Sequence, residues 1–320
     1  MLKCGIPLHG RDRMLLSRAR RLGLAAVLLW STASTAFELG LSQVPPFDLL
    51  FFSACVSLVA LAVVALLRRR LPSVRMLLQA APLGFLNPFL YYLVLLEAYD
   101  RLPAQVAMVV NYLWPMMLVL LGAALPGGRL RIRSLAAMAV SFLGVAVMAL
   151  LHPGHGGGMD PAGLALALGS TVIWAAYWTF GVRLGGDPAA RLTACFAWGV
   201  LFLGVVALLT GRPSTPGPGA LAAAAWIGLF EMGVTYVVWL SALSASREPA
   251  EVGGLVYLTP FLSLAVIATV LREPVAPATL AGLVLVLAGI ALQERWSGTG
   301  SARGAVGSGH APGDGDEPAG

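Results

Sequence analysis

From Leu22 to residue 293 the chain is a succession of apolar runs, each near the length a helix needs to cross a bilayer. A spanning helix takes about 20 mostly apolar residues, and in lipid every backbone N–H and C=O must be satisfied inside the protein, which leaves helices and closed barrels as the only solutions. The runs lie at about 22–42, 48–67, 76–96, 102–124, 134–151, 161–181, 192–211, 219–243, 250–271 and 277–293. Runs of this length, with no two-residue alternation, predict helices. The chain is 58% hydrophobic and 11% charged, where a soluble domain carries about 25% charged residues. The expected fold is therefore all-α, a polytopic membrane protein with ten transmembrane helices. The runs at 134–151 and 277–293 are short enough for an interfacial placement, although neither contains a charged residue.

The formal net charge of +6 does not point to nucleic acid, because the arginines fall between the apolar runs. That is the pattern of a membrane surface facing acidic lipids. Three scattered cysteines, Cys4, Cys55 and Cys195, offer no disulfide framework. The residues around Leu22 resemble a signal peptide, with an Arg-rich start and Ser34-Thr35-Ala36 as a cleavage-like stretch. Trp30 has a counterpart at Trp174, 144 residues on, and that pairing argues that the first helix is retained. Met14 is an alternative start to Met1.

A second regularity divides the chain into halves. Tyr91 matches Tyr236, Pro115 matches Pro260, Leu135 matches Leu280 and Gly144 matches Gly289, each 145 residues apart. One shared offset marks an internal repeat. Five helices per half is an odd number, so the second half enters the membrane from the opposite side, and the expected relation is that of inverted repeats. The organisation that follows is a cytoplasmic N-terminal segment at 1–21, a first repeat at 22–151, an external linker at 152–160 and a second repeat at 161–296. A disordered, Gly- and Ser-rich tail at 297–320 completes it. With the N-terminus in the cytoplasm, all but Arg101, Arg212 and Arg272 of the 21 Lys and Arg residues lie inside. The positive-inside rule thus places both termini in the cytoplasm.

Within this frame, Asn111-Tyr112-Leu113-Trp114-Pro115 and Tyr257-Leu258-Thr259-Pro260 stand in the middle of corresponding runs, and Pro88 follows Asn87 in a third. Proline removes a backbone donor and opens the bond to residue i−4, so Pro88, Pro115 and Pro260 are expected to kink their helices. Interrupted helices in matching positions of two halves point to a binding site. Glu231 lies at mid-helix, where a carboxylate costs about 2.5–3.5 kcal/mol on insertion scales. Two readings are open for it: a carboxyl bonded to a neighbouring helix for structure, or a site that takes a substrate ammonium and exchanges a proton. Aromatics at mid-depth, including Tyr91, Tyr112, Trp114, Trp174, Trp178 and Tyr257, serve either packing or a ligand. Trp174, Tyr177 and Trp178 share one helical face. Tyr99, Trp226 and Trp239 fall near helix ends, where an interfacial aromatic belt is expected. Ala137 and Gly144, with Gly282 and Gly289, form smooth stripes for close helix contact, as scaffold or dimer surface. Glu38 reads as a rim residue, and Gln105 and Asn111 as helix–helix hydrogen-bonding groups or part of the path. No phosphate loop or nucleophile elbow is present, and Pro153-Gly154 between His152 and His155 keeps them off a common helix. No enzyme, metal or cofactor is expected.

These residues together resemble the EamA-type members of the drug/metabolite transporter superfamily, over about residues 20–295. Asn111 to Pro115, with Tyr91 upstream, is similar to the aromatic amino acid exporters of that superfamily. The resemblance implies a central cavity lined by Tyr91, Tyr112, Trp114 and one of Trp174 or Trp178. It implies a secondary exporter of small metabolites, amino acids or aromatic compounds, working by alternating access as a monomer or homodimer in the cell membrane. Glu231 departs from the pattern of those exporters. A membrane sensor or assembly partner that transports nothing is the rival reading, and solvent access to Trp114 or Thr259 separates the two.

Overall fold

The computed structural model describes residues 10–126, 129–152, 159–181, 184–246 and 253–304. Among them ten helices are long and apolar enough to cross a membrane. They are α1 (Arg18–Leu41), α2 (Pro46–Leu67), α3 (Val74–Arg101), α4 (Ala104–Ala124), α5 (Ile132–Leu151), α6 (Pro161–Gly181), α7 (Pro188–Thr210), α8 (Pro218–Ala245), α9 (Gly254–Leu271) and α10 (Pro277–Trp296). The fold is all-α, as the apolar runs require, and the two shortest runs belong to helices of spanning length. Most of the expected linker, 153–158, and the tail from 305 lie outside the described residues. Helical backbone reaches from Gly10 into α1 and continues from α10 to Gly304, past the point where the sequence loses its apolar character.

Local chemistry explains where the helices start and stop. Pro46, Pro161, Pro188, Pro218 and Pro277 each open a helix, in the first turn, where the missing N–H has no intrahelical partner to lose. Asp187 caps α7 by accepting from the N–H groups of Ala189 at 2.9 Å and Ala190 at 3.2 Å. Gly211 ends the same helix with φ of 68°, the left-handed conformation that glycine adopts without penalty. Helix α3 runs on through Glu97, Asp100 and Arg101 because its charged end has reached the membrane edge. There Arg101 lies 3.8 Å from Asp160 at the start of α6.

Five helices are interrupted, and four of the breaks fall near one another in space. Helix α4 breaks at Tyr112–Leu113, with Pro115 in the first turn of its second half. Helix α9 opens with a tight 3₁₀ turn at Gly254–Leu258 and becomes α-helical at Thr259, one residue before Pro260. Pro88 stands in a widened π turn at Phe85–Leu90, where Asn87 has non-helical φ and ψ of −145° and 121°. A matching π turn occurs in α8 at Ile227–Glu231. Helix α1 is broken at Ser31–Thr32, with no proline to announce it. Such turns inside helices concentrate at functional sites, because they release backbone groups and re-aim side chains.

Packing between helices keeps its pattern when the halves are exchanged. Helix α1 lies on α8 as α6 lies on α3; α7 meets α3 as α2 meets α8; and α4 meets α6 as α9 meets α1. Helices α5 and α10 pack mainly on each other, with Ser141 Oγ donating to the carbonyl of Val286 at 3.0 Å. Their small-residue stripes are consumed in that contact, so they serve as scaffold within the chain and are covered to any partner.

Candidate functional site

The breaks in α1, α4, α8 and α9 surround one cavity of about 840 Å³, walled as well by α3, α6 and the end of α10. Its size falls in the range of small-molecule sites, about 300–1,000 Å³. All eight residues singled out from the sequence as binding residues line it: Tyr91, Asn111, Tyr112, Trp114, Trp174, Trp178, Glu231 and Tyr257. Both Trp174 and Trp178 are present. Tyr177 turns away from the cavity, toward a small void beside Gly181 and Arg191.

The walls are continuous aromatic surface. Tyr91 stacks on Trp174 with centroids 4.6 Å apart and planes at 26°, and Trp174 stacks in turn on Tyr177 at 5.5 Å. Trp30 meets Tyr236 edge-on at 5.5 Å and Trp239 at 5.5 Å. Tyr236 closes the ring against Trp174 at 5.9 Å. The two matched pairs thus interlock crosswise: Trp30 of the first half packs on Tyr236 of the second, and Trp174 of the second on Tyr91 of the first. Each such aromatic pair contributes about 0.5–1.5 kcal/mol beyond the area it buries.

Polar atoms are few, and most have partners. Asn111 accepts from the Tyr91 hydroxyl at 3.3 Å through Oδ1 and donates to Ser170 Oγ at 3.1 Å through Nδ2, so both ends of its amide are held. Glu231 is half-buried and receives one hydrogen bond at Oε1, from the Tyr92 hydroxyl at 3.2 Å. That hydroxyl is also 3.3 Å from the hydroxyl of Tyr236. The indole N–H of Trp30 donates to the backbone carbonyl of Glu231 at 3.3 Å. This bond fixes the widened turn of α8, where Thr235 Oγ1 also donates to the carbonyl of Phe230. Glu231 is thereby set facing the cavity from a turn that the two hydrogen bonds hold open.

The ends of the cavity differ. At one, Ser34 and Tyr99 are joined at 2.8 Å through their hydroxyls, and Phe37 packs edge-on against Tyr99 at 5.0 Å. At the other, Tyr257 donates to Glu294 Oε1 at 2.5 Å beside Gly253 and Gly254. Glu294 is a lining residue that the sequence did not single out. Tyr99 and Trp239 correct an expectation: they are not belt residues but line the cavity, at 5% and 7% exposure. Trp226, 43% exposed, does lie at the periphery. Gln105 is tied to the loop before α10, donating to the carbonyl of Pro274 and accepting from the N–H of Ala276 at 3.1 Å, and takes no part in the cavity. Asn87, at the level of Glu231 in the matching turn, is fully buried away from it. No three His, Cys, Asp or Glu side chains come together among the described residues.

Comparison with known proteins agrees with this architecture. The EamA-like transporter family matches residues 20–150 and again 161–293. An aromatic amino acid exporter, YddG, of Ancylobacter novellus is 29% identical over 254 residues, covering 77% of this chain and 86% of its own. A probable terminal-alkyne amino-acid exporter of Streptantibioticus cattleyicolor is 29% identical over 289 residues, covering 88% and 95%. A crystal structure superposes with a TM-score of 0.60 at 25% identity, over 87% of this chain and 96% of that one.

Proposed function

The chain belongs to the EamA-like transporter family of the drug/metabolite transporter superfamily, and on that premise we propose that it is a secondary exporter of small amino-acid-like or aromatic metabolites. The observation that carries this reading is the 840 Å³ cavity itself, with the Ser34–Tyr99 hydrogen bond at one end and walls of aromatic rings among which two carboxylates, Glu231 and Glu294, are set. A multi-pass membrane protein that only scaffolds has no use for such a volume between its interrupted helices, and a packed interior would fill it. The two halves act as inverted repeats. Exchange of their conformations opens one end of the cavity as the other closes, which is alternating access. Glu231 couples the cycle to protons, since a proton and a substrate ammonium compete for the same carboxylate. The relatives named as amino acid exporters support the substrate range.

Orientation follows the arginines. Reporter fusions after Arg69 and Arg131 are expected to read cytoplasm, and fusions after Arg212 and Arg272 the exterior. A cytoplasmic signal at Arg212 would overturn the assignment.

The aromatic wall gives the functional test. In proteoliposomes containing the purified chain, Trp174→Ala and Tyr91→Ala are each expected to raise the half-saturating concentration of an aromatic substrate about five-fold or more, since a lost ring contact is worth about 1 kcal/mol. The same substitutions should change exchange of a small aliphatic substrate much less. Wild-type flux of the aromatic substrate in both variants would show that the rings pack the protein and hold no substrate.

A further inference from the structure

Resting on the reading of this cavity as the transport site, we propose that its preferred substrates are aromatic amines carrying a single positive charge, rather than zwitterionic amino acids. Among the described residues two carboxylates face the cavity, Glu231 at mid-membrane and Glu294 at one end, and each is held by a tyrosine hydroxyl, from Tyr92 and Tyr257 respectively. Every described lining residue is neutral or acidic. The full sequence goes further: it has no Lys, Arg or His within 22–42, 76–100, 102–128, 161–182, 213–246 or 253–271, which include the membrane cores of α1, α3, α4, α6, α8 and α9.

An ammonium at this depth finds a charged acceptor in Glu231, whose Oε1 receives a hydrogen bond from one phenol only. It also finds ring faces beside that acceptor. The Trp30 indole is bonded to the backbone of Glu231 and Tyr236 adjoins it, an arrangement suited to cation–π attraction in a desolvated site. A carboxylate on the same molecule meets the opposite conditions. It would lie within a few ångströms of Glu231 with no cation among the described lining residues to pair it, where like charges in a medium of low dielectric repel strongly. Buried ions that are not paired are disfavoured in proportion. The volume accommodates a bicyclic ring with a short amine arm.

The test uses four probes built on one ring: tryptamine, tryptophan methyl ester, L-tryptophan and indole-3-propionate. Their binding to the purified full-length chain, and their exchange in proteoliposomes, are measured side by side. Tryptamine and the methyl ester are expected to bind at least ten-fold more tightly than L-tryptophan, and indole-3-propionate least of all. Glu231→Gln should remove the preference of amine over amino acid, and Glu231→Asp should restore part of it. L-tryptophan exchanged as well as or better than tryptamine would overturn the charge selectivity while leaving export through this cavity intact. Saturable exchange of none of the probes would count against the cavity as a transport site and against this inference with it. A preference that survives in Glu231→Gln would also overturn it, because the selecting charge would lie elsewhere.

Discussion

Gly289→Leu is expected to prevent accumulation of the folded chain, and Gly144→Leu to do nearly the same. A Cβ at Gly289 would lie 2.1 Å from Ser141 Oγ and 2.5 Å from the carbonyl oxygen of Ala137; one at Gly144 would lie 2.5 Å from the carbonyl oxygen of Gly282. The obstacles are mostly backbone, which cannot swing aside as a side-chain end can. Relief therefore requires α5 and α10 to separate along their length. Separation removes van der Waals contact that lipid does not replace, and also the bond from Ser141 to Val286. Overpacking of this kind costs about 3 kcal/mol at the upper end of the usual range, more than a hundred-fold in the folding equilibrium. The measurement is the yield of monodisperse protein in detergent and its thermal midpoint. Gly169→Leu on α6 and Gly204→Leu on α7 are the controls, since a Cβ at either meets nothing within 4 Å. Equal midpoints across all four variants would show that the α5–α10 contact is loose.

The parts of this fold legible in the sequence are those that lipid enforces. Ten spans could be counted because each must be apolar over its whole length, and the halves could be paired because Pro115 and Pro260 repeat at a fixed interval. Breaks at those prolines were legible for the same reason: the residue that causes them is visible. The break at Ser31–Thr32 was not, since neither residue forbids a helix. There the hydroxyls bond back to the carbonyls of Leu28 and Leu29, a local competition that sequence alone leaves undecided.

Tyr99 and Trp239 show a different limit. Position along a helix gives depth, and depth assigned both to the membrane surface. Direction around the helix decides instead. Tyr99 follows Tyr92 by seven residues and Leu95 by four, so it shares their inward face, and Trp239 follows Tyr236 by three. That periodicity was available and would have placed both in the cavity. Glu294 could not have been found in this way. It belongs to the polar end of α10, and only the approach of Tyr257 from α9 brings it to the cavity mouth.

Glu231→Gln is expected to abolish uphill export while leaving the chain folded and downhill exchange measurable at saturating substrate. The carboxylate accepts the Tyr92 hydroxyl, and an amide oxygen can accept the same bond, so the widened turn of α8 has no reason to collapse. The bond from Trp30 is untouched, since it ends on the backbone. What the amide loses is charge and the ability to exchange a proton. Under the proposed coupling, acid outside would protonate Glu231 and release the ammonium there; the carboxyl would return with its proton and give it up in the less acidic cytoplasm, where substrate would bind again. Export should therefore rise as the external side is made more acidic, and fall as the internal side is. With glutamine the substrate and the proton no longer compete, so flux should follow the substrate gradient alone and show no dependence on the pH difference. Glu231→Asp keeps an ionisable group one methylene shorter and should retain part of the coupling. The measurement is accumulation of labelled substrate in proteoliposomes under an imposed pH difference. Wild-type vesicles should exceed equilibrium several-fold, and Glu231→Gln vesicles should stop at it. Accumulation by Glu231→Gln with unchanged pH dependence would assign the coupling proton to another group and leave Glu231 a structural partner of Tyr92.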